Sequence, residues 1–203
     1  VIDYLKKTGL ADSTVLIYTS DGGFHMGEHG FYDKRCAFEP SIRVPLLVWA
    51  PGLVKPGTRV DEMVQNIDLA PTVLQLMNVA RPEGVDWAGQ SLVPLLEGRK
   101  VPWRDYILYE YYWEWNFPAT PTMLAIRTRQ YKYIYYHGVW DIDSFHDLVN
   151  DPAERHNLID VPAYQAEIKK LRDKMFAEFE ARGGLNIPIR IPTGERLDQR
   201  KLP

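Results

Sequence analysis

The most informative part of the sequence is TVLIYTSDGGFHMGEHG, which spans residues 14–30. Residues 14–19 form a short, apolar and β-branched run between Asp12 and the pair Gly22-Gly23. Such a run is typical of a strand that is buried on both faces, as in a parallel sheet. The segment after it is polar and rich in glycine, and open α/β sheets bind ligands at the carboxyl ends of their strands. The stretch therefore predicts a fully buried, parallel strand followed by a binding loop.

Elements on both sides of this stretch continue the α/β pattern. Residues 1–5 are expected to end a helix, and residues 44–50 form a second apolar run that a Pro-Gly pair terminates. Asp68 is expected to be the N-cap of a helix over residues 69–77. The order helix, strand, loop, strand, helix is that of a layered α/β fold.

The second half of the chain is rich in tyrosine and predicts a different architecture. Residues 106–112, 123–128 and 131–136 have the composition of strands, and the last two are close enough to form a hairpin. A helix is predicted over residues 162–182, because apolar side chains recur on one face. These apolar residues are Tyr164, Ile168, Leu171, Met175 and Phe179.

These patterns divide the chain near residue 98. Residues 1–98 are expected to be part of an α/β domain that contains the polar loop. Residues 99–203 are expected to form a small antiparallel sheet packed with the C-terminal helix. The predicted fold class is therefore α/β, with a smaller subdomain at the C-terminal end.

Composition excludes several classes of function. Of the 203 residues, 45% are hydrophobic and 25% are charged, as in ordinary globular domains. A net charge of −3 is too small to indicate nucleic-acid binding, and no apolar run approaches the roughly 20 residues that cross a bilayer. The chain starts at Val1 without an initiator Met or a signal-peptide pattern, so we expect it to begin inside a longer protein.

Asp21 and Lys34 are the main candidates for chemistry in the polar loop. A carboxylate after a buried strand can hold a hard cation through oxygen, and a lysine can meet an anion as a point charge. The alternative is a glycine-rich turn with a capping Asp and solvated charges. The spacing of Asp21 and Lys34 in the sequence fits both interpretations equally well.

Two other interpretations of the loop are less favourable. Residues 25–29 match the H-x-x-E-H pattern of zinc proteases, but that pattern needs a helix and this segment is crowded with glycine. Cys36 follows Lys34 and Arg35, which could lower its pKa. Free cysteines usually pack in cores, however, and no histidine is expected within reach to act as its base.

Residues 19–35, TSDGGFHMGEHGFYDKR, resemble the second signature region of the sulfatase family, within the alkaline-phosphatase-like superfamily. Four further segments agree with the family in order along the chain. They are residues 42–52, 68–72, 89–98 and 147–158. The resemblance covers about residues 14–160 and implies that residues 1–98 are the C-terminal part of an alkaline-phosphatase-like α/β domain.

The resemblance implies metal-assisted hydrolysis of a sulfate ester. In the family, a formylglycine nucleophile attacks sulfur while a divalent cation, calcium or magnesium, neutralises the sulfate oxygens. Asp21 matches a metal ligand, and Lys34 matches the catalytic lysine that contacts sulfate. His29 and Arg35 are weaker candidates for substrate contact, and His29 with Glu28 is expected mainly to shape the loop.

The sequence departs from the family at two places. The residue after the metal-binding Asp is usually Asn, Gln or His, whereas Gly22 stands here without a side chain. The consensus of the nucleophile, Cys-x-Pro-x-Arg, is absent, and Cys36 does not match it. We therefore expect the formylglycine to lie in a missing N-terminal half of the same protein, and the chain alone to be inactive.

The aromatic residues 109–117 resemble the C-terminal subdomain of carbohydrate sulfatases, particularly bacterial relatives of N-acetylglucosamine-6-sulfatases. Glu110, Trp113 and Trp115 are the candidates for binding a sulfated carbohydrate, because rings stack on sugars and carboxylates bind hydroxyls. The alternative is a tyrosine-rich sheet that simply packs against the helix over residues 162–182.

Two other functions stay open. A phosphodiesterase or phosphonate monoester hydrolase of the same superfamily would need similar residues, because tetrahedral oxyanions look alike to a metal and a lysine. A non-catalytic, truncated carbohydrate-binding remnant would use only the aromatic face. Members of the resembled family are often periplasmic, secreted or lysosomal, and this sequence leaves the compartment open.

Overall fold

The structure, a computed structural model, describes residues 1–138 and 142–186. Short helices and two short strands make up the part before residue 98. These elements are α1 (Ile2–Lys7), β1 (Leu16–Tyr18), α2 (Glu39–Ile42), β2 (Leu47–Trp49), α3 (Leu69–Leu76) and α4 (Val93–Leu96). The helices predicted at the N-terminus and after Asp68 are confirmed, as are the two strands, although each strand is only three residues long.

Strands β1 and β2 form an antiparallel ribbon, with Leu16 opposite Trp49 and Tyr18 opposite Leu47. The expectation of a fully buried, parallel strand over residues 14–19 is therefore wrong for the described residues. Leu16 and Ile17 of β1 are partly buried, and the Tyr18 side chain is exposed. A parallel pair needs a crossover connection, whereas here the chain turns back through a loop and a single helical turn. Each strand of the two-stranded ribbon keeps one unpaired edge.

The second part contains a four-stranded antiparallel sheet and one long helix. Its elements are β3 (Tyr106–Tyr111), β4 (Thr122–Thr128), β5 (Tyr131–His137), β6 (Ser144–Asp147) and α5 (Gln165–Ala181). The strands lie in the order β3-β4-β5-β6, so the predicted hairpin of β4 and β5 is confirmed. Thr128 closes its turn, because its hydroxyl accepts from the Tyr131 N–H at 2.9 Å and donates to the Tyr131 carbonyl at 3.0 Å.

The two faces of this sheet have different partners. Leu124 on β4 packs with Leu171 and Met175 of α5, which confirms the predicted apolar face of that helix. Its neighbour Ala125 points to the opposite face and packs with Cys36 from the loop after β1. The sheet therefore lies between the C-terminal helix and the polar loop.

Asp68 is a buried carboxylate as well as the residue that precedes α3. It occupies the predicted N-cap position of α3, but its side chain makes no cap hydrogen bond to that helix. Its oxygens accept from the backbone N–H groups of Gln65 and Gln90, both at 2.8 Å, and from both terminal nitrogens of Arg104. The expectation of a simple cap is corrected, because a distant guanidinium takes the carboxylate.

Replacing Asp68 by Asn is expected to lower the free energy of unfolding by about 3 to 5 kcal/mol, because the Arg104 guanidinium would lose its buried counter-charge. The Arg104 side chain is 11% exposed and that of Asp68 is fully buried. The matched control is Asp61→Asn, which removes an exposed ion pair to Arg59 and should cost less than about 1 kcal/mol. Urea unfolding measures both losses. If both variants lost equally little unfolding free energy, the buried pair of Asp68 and Arg104 would not stabilise the fold.

No helix within residues 1–138 and 142–186 is long and apolar enough to cross a membrane. The division of the chain near residue 98 stays a prediction, and contacts cross it. The Arg104 guanidinium binds Asp68, and the Trp103 indole donates to the Met63 carbonyl at 2.9 Å.

Candidate functional site

Asp21 and Lys34 lie together just after β1. The Lys34 ammonium is 3.4 Å from a carboxylate oxygen of Asp21, although 13 positions separate the two residues. Both side chains are open to solvent, with 87% of Asp21 and 47% of Lys34 exposed. The charge of Lys34 and its hydrogen bond lower the pKa of Asp21. The expected proximity is observed, and the pair can present a carboxylate and an ammonium to one ligand.

The backbone around Asp21 is held from two sides. The Asn66 side chain donates to the Asp21 carbonyl at 3.3 Å. The Gly23 N–H donates to the Ser41 carbonyl at 2.7 Å. A Cβ atom on Gly23 would lie 2.0 Å from the Pro40 carbonyl oxygen, so this close approach requires glycine. The loop that carries Asp21 is therefore packed directly on the start of α2.

Gly22 leaves room beside the ion pair. A Cβ atom built there would meet Lys34 Cδ at 3.9 Å and the Ser41 carbonyl oxygen at 4.0 Å, which are ordinary contacts. The structure therefore tolerates a side chain at position 22, in contrast to position 23. Neither crowding nor the backbone explains why a glycine stands here.

The two histidines of residues 25–29 pack edge to face, with ring centroids 5.7 Å apart, but differ in burial and backbone conformation. His25 is fully buried, and its Nδ1 is 3.0 Å from the Glu28 carbonyl oxygen. His29 has a left-handed backbone (φ +56°) and stacks on Phe38, with ring centroids 4.1 Å apart. Burial lowers the pKa of His29. The segment ends in a 3₁₀ turn, Glu28–Gly30, and does not form the helix that the zinc-protease pattern requires.

Cys36 lies against His25, with the sulfur 3.0 Å from Nε2. The expectation that no histidine is within reach of Cys36 is therefore wrong, because the loop folds His25 back onto it. Burial raises the pKa of the Cys36 thiol, which agrees with the expectation that Cys36 is a packing residue. The thiol is 6% exposed and packs with Ala37 and Met123. These surroundings favour a packing residue over a nucleophile.

Arg35 connects the loop to the aromatic segment of the second part. Its guanidinium is 2.7 Å from Asp33 and 3.2 Å from Glu114, and it stacks 3.2 Å above the centre of the Phe117 ring. The Tyr111 hydroxyl donates to the same carboxylate oxygen of Glu114 at 2.9 Å. Arg35 is therefore engaged by protein groups, which makes it better suited to joining two segments than to holding a substrate.

Trp113 and Trp115 flank Glu114 and pack edge to face, with ring centroids 6.1 Å apart. The Trp113 indole donates to the Pro118 carbonyl at 3.2 Å, whereas Trp115 is 63% exposed. Because Glu114 contacts Arg35, the segment that carries both rings is joined to the loop of Asp21 and Lys34. Trp115 offers the open aromatic face that a sugar could contact.

Glu110 is not brought into this group. It follows Leu108 on the face of β3 that packs towards α5, and its carboxylate accepts from the Tyr112 hydroxyl at 2.9 Å. Glu110 lines a groove on this side of the sheet, together with Arg182 and Gly184 at the C-terminal end of α5. Since Tyr111 reaches Glu114 from the opposite face, the sheet separates Glu110 from the candidate site. Substrate binding by Glu110 therefore finds no support in the geometry.

Sequence reasoning missed a buried charge cluster beneath the loop. Lys132 of β5 is fully buried and lies 2.8 Å from Glu39 and 2.7 Å from Glu154. Glu154 lies in residues 147–158, a segment that resembles the sulfatase family, but the resemblance assigned it no role. A lysine inside a strand that otherwise consists of tyrosine and isoleucine over residues 131–136 was the available signal, because such a group needs buried partners.

The candidate site fits part of a metal site. Calcium and magnesium prefer oxygen ligands, and the exposed Asp21 carboxylate is one. Over the two described ranges, no three or more His, Cys, Asp or Glu side chains lie together as metal ligands would. The described chain therefore supplies one fitting ligand.

Comparisons with known proteins agree on one family. The family described as N-sulphoglucosamine sulphohydrolase, C-terminal, matches residues 27–181. The chain is 36% identical over 177 residues to an N-acetylglucosamine-6-O-sulfatase of Bacteroides thetaiotaomicron, covering 84% of this chain and 31% of the relative. It spans about a third of the length of the first curated relatives that it matches, 31 to 36%.

Solved structures share the fold. One structure, in complex with its substrate D-glucosamine-2-N,6-O-disulfate, matches with a TM-score of 0.84 and 31% identity over 94% of this chain and 39% of that one. A phosphonate monoester hydrolase from Silicibacter pomeroyi matches with a TM-score of 0.75 and 27% identity, over 89% of this chain and 37% of that one. Because the family match covers most of the chain and agrees with the fold, the chain belongs to the sulfatase family, as its C-terminal region with the alkaline-phosphatase-like fold.

Proposed function

We propose that this chain is the C-terminal part of a sulfatase that hydrolyses sulfate esters of a carbohydrate. The observation that carries the proposal is the Asp21–Lys34 pair, 3.4 Å apart after β1, in a chain of this family. The N-terminal half of the same protein would supply the formylglycine nucleophile, since the chain spans about a third of its relatives.

Asp21 and Lys34 would divide the work of binding the sulfate group. A calcium or magnesium ion bound by Asp21, with further ligands from the N-terminal half, would supply positive charge at the sulfate oxygens. Lys34 would donate hydrogen bonds to an oxygen of the same group and orient it. Its ammonium lies 3.4 Å from Asp21 and its side chain is 47% exposed, so the group is both placed and accessible. Preorganised donors of this kind stabilise charge in a transition state.

The carbohydrate would contact the aromatic segment. Trp115 is 63% exposed and lies in the segment that Arg35 ties to the loop through Glu114. A ring placed there can stack on the sugar while its sulfate reaches Lys34. The names of the relatives, which include a sulfatase of N-acetylglucosamine, support a sulfated amino sugar as the substrate class.

The main alternative is hydrolysis of a phosphonate monoester, since an enzyme with that activity shares the fold. The full-length protein should be assayed with 4-nitrophenyl sulfate and with 4-nitrophenyl phenylphosphonate. We expect kcat/KM for the sulfate to be higher by at least about 100-fold, because phenyl replaces one oxygen and leaves donors of the site unpaired. A preference for the phosphonate would overturn the sulfatase proposal in favour of the alternative.

Gly22 provides a test of the metal position that needs no turnover. Replacing Gly22 by Asn in the full-length protein is expected to leave the melting temperature unchanged and to tighten calcium binding by about tenfold, because an oxygen ligand is added beside Asp21. The structure leaves space for this side chain. Calcium titration and thermal unfolding measure the two effects.

The matched control for this test is Gly23→Asn, one position further along the chain. Its Cβ would lie 2.0 Å from the Pro40 carbonyl oxygen, so we expect strong destabilisation. If Gly22→Asn folded normally and calcium affinity did not change, Asp21 would not be a metal ligand in this protein.

A further inference from the structure

Lys132 is a buried cation with three polar contacts. Its ammonium is 2.8 Å from Glu39 Oε1, 2.7 Å from Glu154 Oε1, and donates to the Ala37 carbonyl at 2.9 Å. The Lys132 side chain has no exposed surface. A buried ammonium is unfavourable unless charged and hydrogen-bonding partners surround it. These partners come from two separate segments, so the single cation joins them on the side of the sheet that faces the polar loop.

The anions around Lys132 are also fixed by other groups. Glu154 accepts a hydrogen bond from the backbone N–H of Glu39 at 2.6 Å. The Arg127 guanidinium binds both oxygens of Glu39, at 3.2 and 3.3 Å. Two cations and two carboxylates therefore form a balanced network around the start of α2.

This network reaches the candidate site through a few residues of backbone. Ala37 and Glu39, which the network holds, follow Lys34 closely in the chain. The Ser41 hydroxyl donates to the Lys34 carbonyl, and the Ser41 carbonyl accepts from the Gly23 N–H at 2.7 Å. One turn thus contacts both the residue that carries the ammonium and the loop that carries Asp21.

We propose that Lys132 is a positioning residue, which holds the turn of residues 37–41 and thereby fixes Lys34 relative to Asp21. Packing alone does not need a charge at this place, because apolar residues can replace buried ion pairs without loss of stability. The bond from Lys132 to the Ala37 carbonyl is the contact that an apolar residue cannot make. The inference rests on the proposed function only for its effect on catalysis.

The test uses a charge-balanced variant of the full-length protein, Lys132→Met with Glu154→Gln. Removing one cation and one carboxylate together avoids an unpaired buried charge, and the glutamine keeps an oxygen to accept the Glu39 N–H. The control is Met175→Ala, which opens a cavity in the helix-facing core, away from the loop. Both variants are first compared by circular dichroism and thermal unfolding.

We expect the balanced variant to lose about 100-fold in kcat/KM for a sulfate ester, because a small displacement of a catalytic group has effects of that size. In a Lys34→Ala background, the same two substitutions should cost less than about threefold, since the group they position is gone. Met175→Ala should keep wild-type kcat/KM. Equal losses in both backgrounds would show a merely structural role and overturn the inference.

Hydrogen exchange gives a second measurement that needs no activity. Backbone amides in peptides that cover residues 33–42 should exchange faster in the balanced variant than in the wild-type protein. In Met175→Ala their exchange rates should not change. Unchanged exchange in the balanced variant would contradict positioning by Lys132. If the wild-type protein hydrolysed no sulfate ester, the proposed function would fail, and hydrogen exchange alone would still decide the inference.

Discussion

Replacing Asp21 by Ala in the full-length protein is expected to lower kcat/KM for a sulfate ester by more than Lys34→Ala does. Losing a single electrostatic donor such as Lys34 typically costs on the order of 10² to 10³ in rate. Asp21 is proposed to hold the cation, which is the largest local charge at such a site. Its removal would weaken metal binding and sulfate binding together. Gly22 offers no second side chain to compensate, so the difference should be large.

The measurement is kcat/KM together with metal content for both single variants. Asp61→Ala is the matched control, because it removes an exposed carboxylate that forms an ion pair with Arg59 at 3.4 Å, away from the candidate site. We expect the control to keep its metal and its activity. If Asp21→Ala kept its metal and near-native activity while Lys34→Ala lost both, Asp21 would be only a turn residue.

Local sequence patterns predicted most of the secondary structure. The helix α5 was predicted because its apolar residues recur with helical spacing, and Leu171, Met175 and Phe179 do pack in the core. The hairpin of β4 and β5 was predicted because so few residues separate two strand-like runs. Both features depend on residues that are close in sequence, so a single sequence is enough to predict them.

The direction of β1 relative to β2 could not be predicted in the same way. Strand direction depends on the path of the connection, and residues 19–46 contain only short helical turns over a long loop. An apolar run of this length also fits a buried strand of either sheet type. The composition of β1 therefore predicted a strand correctly, but the predicted burial and parallel pairing of that strand were wrong.

Contacts between distant residues explain the remaining errors. The carboxylate of Asp68 binds Arg104, 36 positions away, and Lys132 reaches Ala37 across 95 positions. His25 approaches Cys36 only because the loop folds back. No spacing rule in a single sequence encodes such pairs. Asp21 and Lys34 were paired correctly because the family resemblance, and not their spacing, brought them together.

The most direct measurement compares sulfate release from 4-nitrophenyl sulfate by the full-length protein and by the isolated 203-residue chain. We expect turnover by the full-length protein and none by the isolated chain, whose folding is checked by circular dichroism. The reason is that the nucleophile consensus is absent from this sequence, and charge stabilisation alone cannot form the new bond. Robust hydrolysis by the isolated chain, or a full-length protein inert towards sulfate esters, would contradict a sulfatase whose nucleophile lies outside this chain.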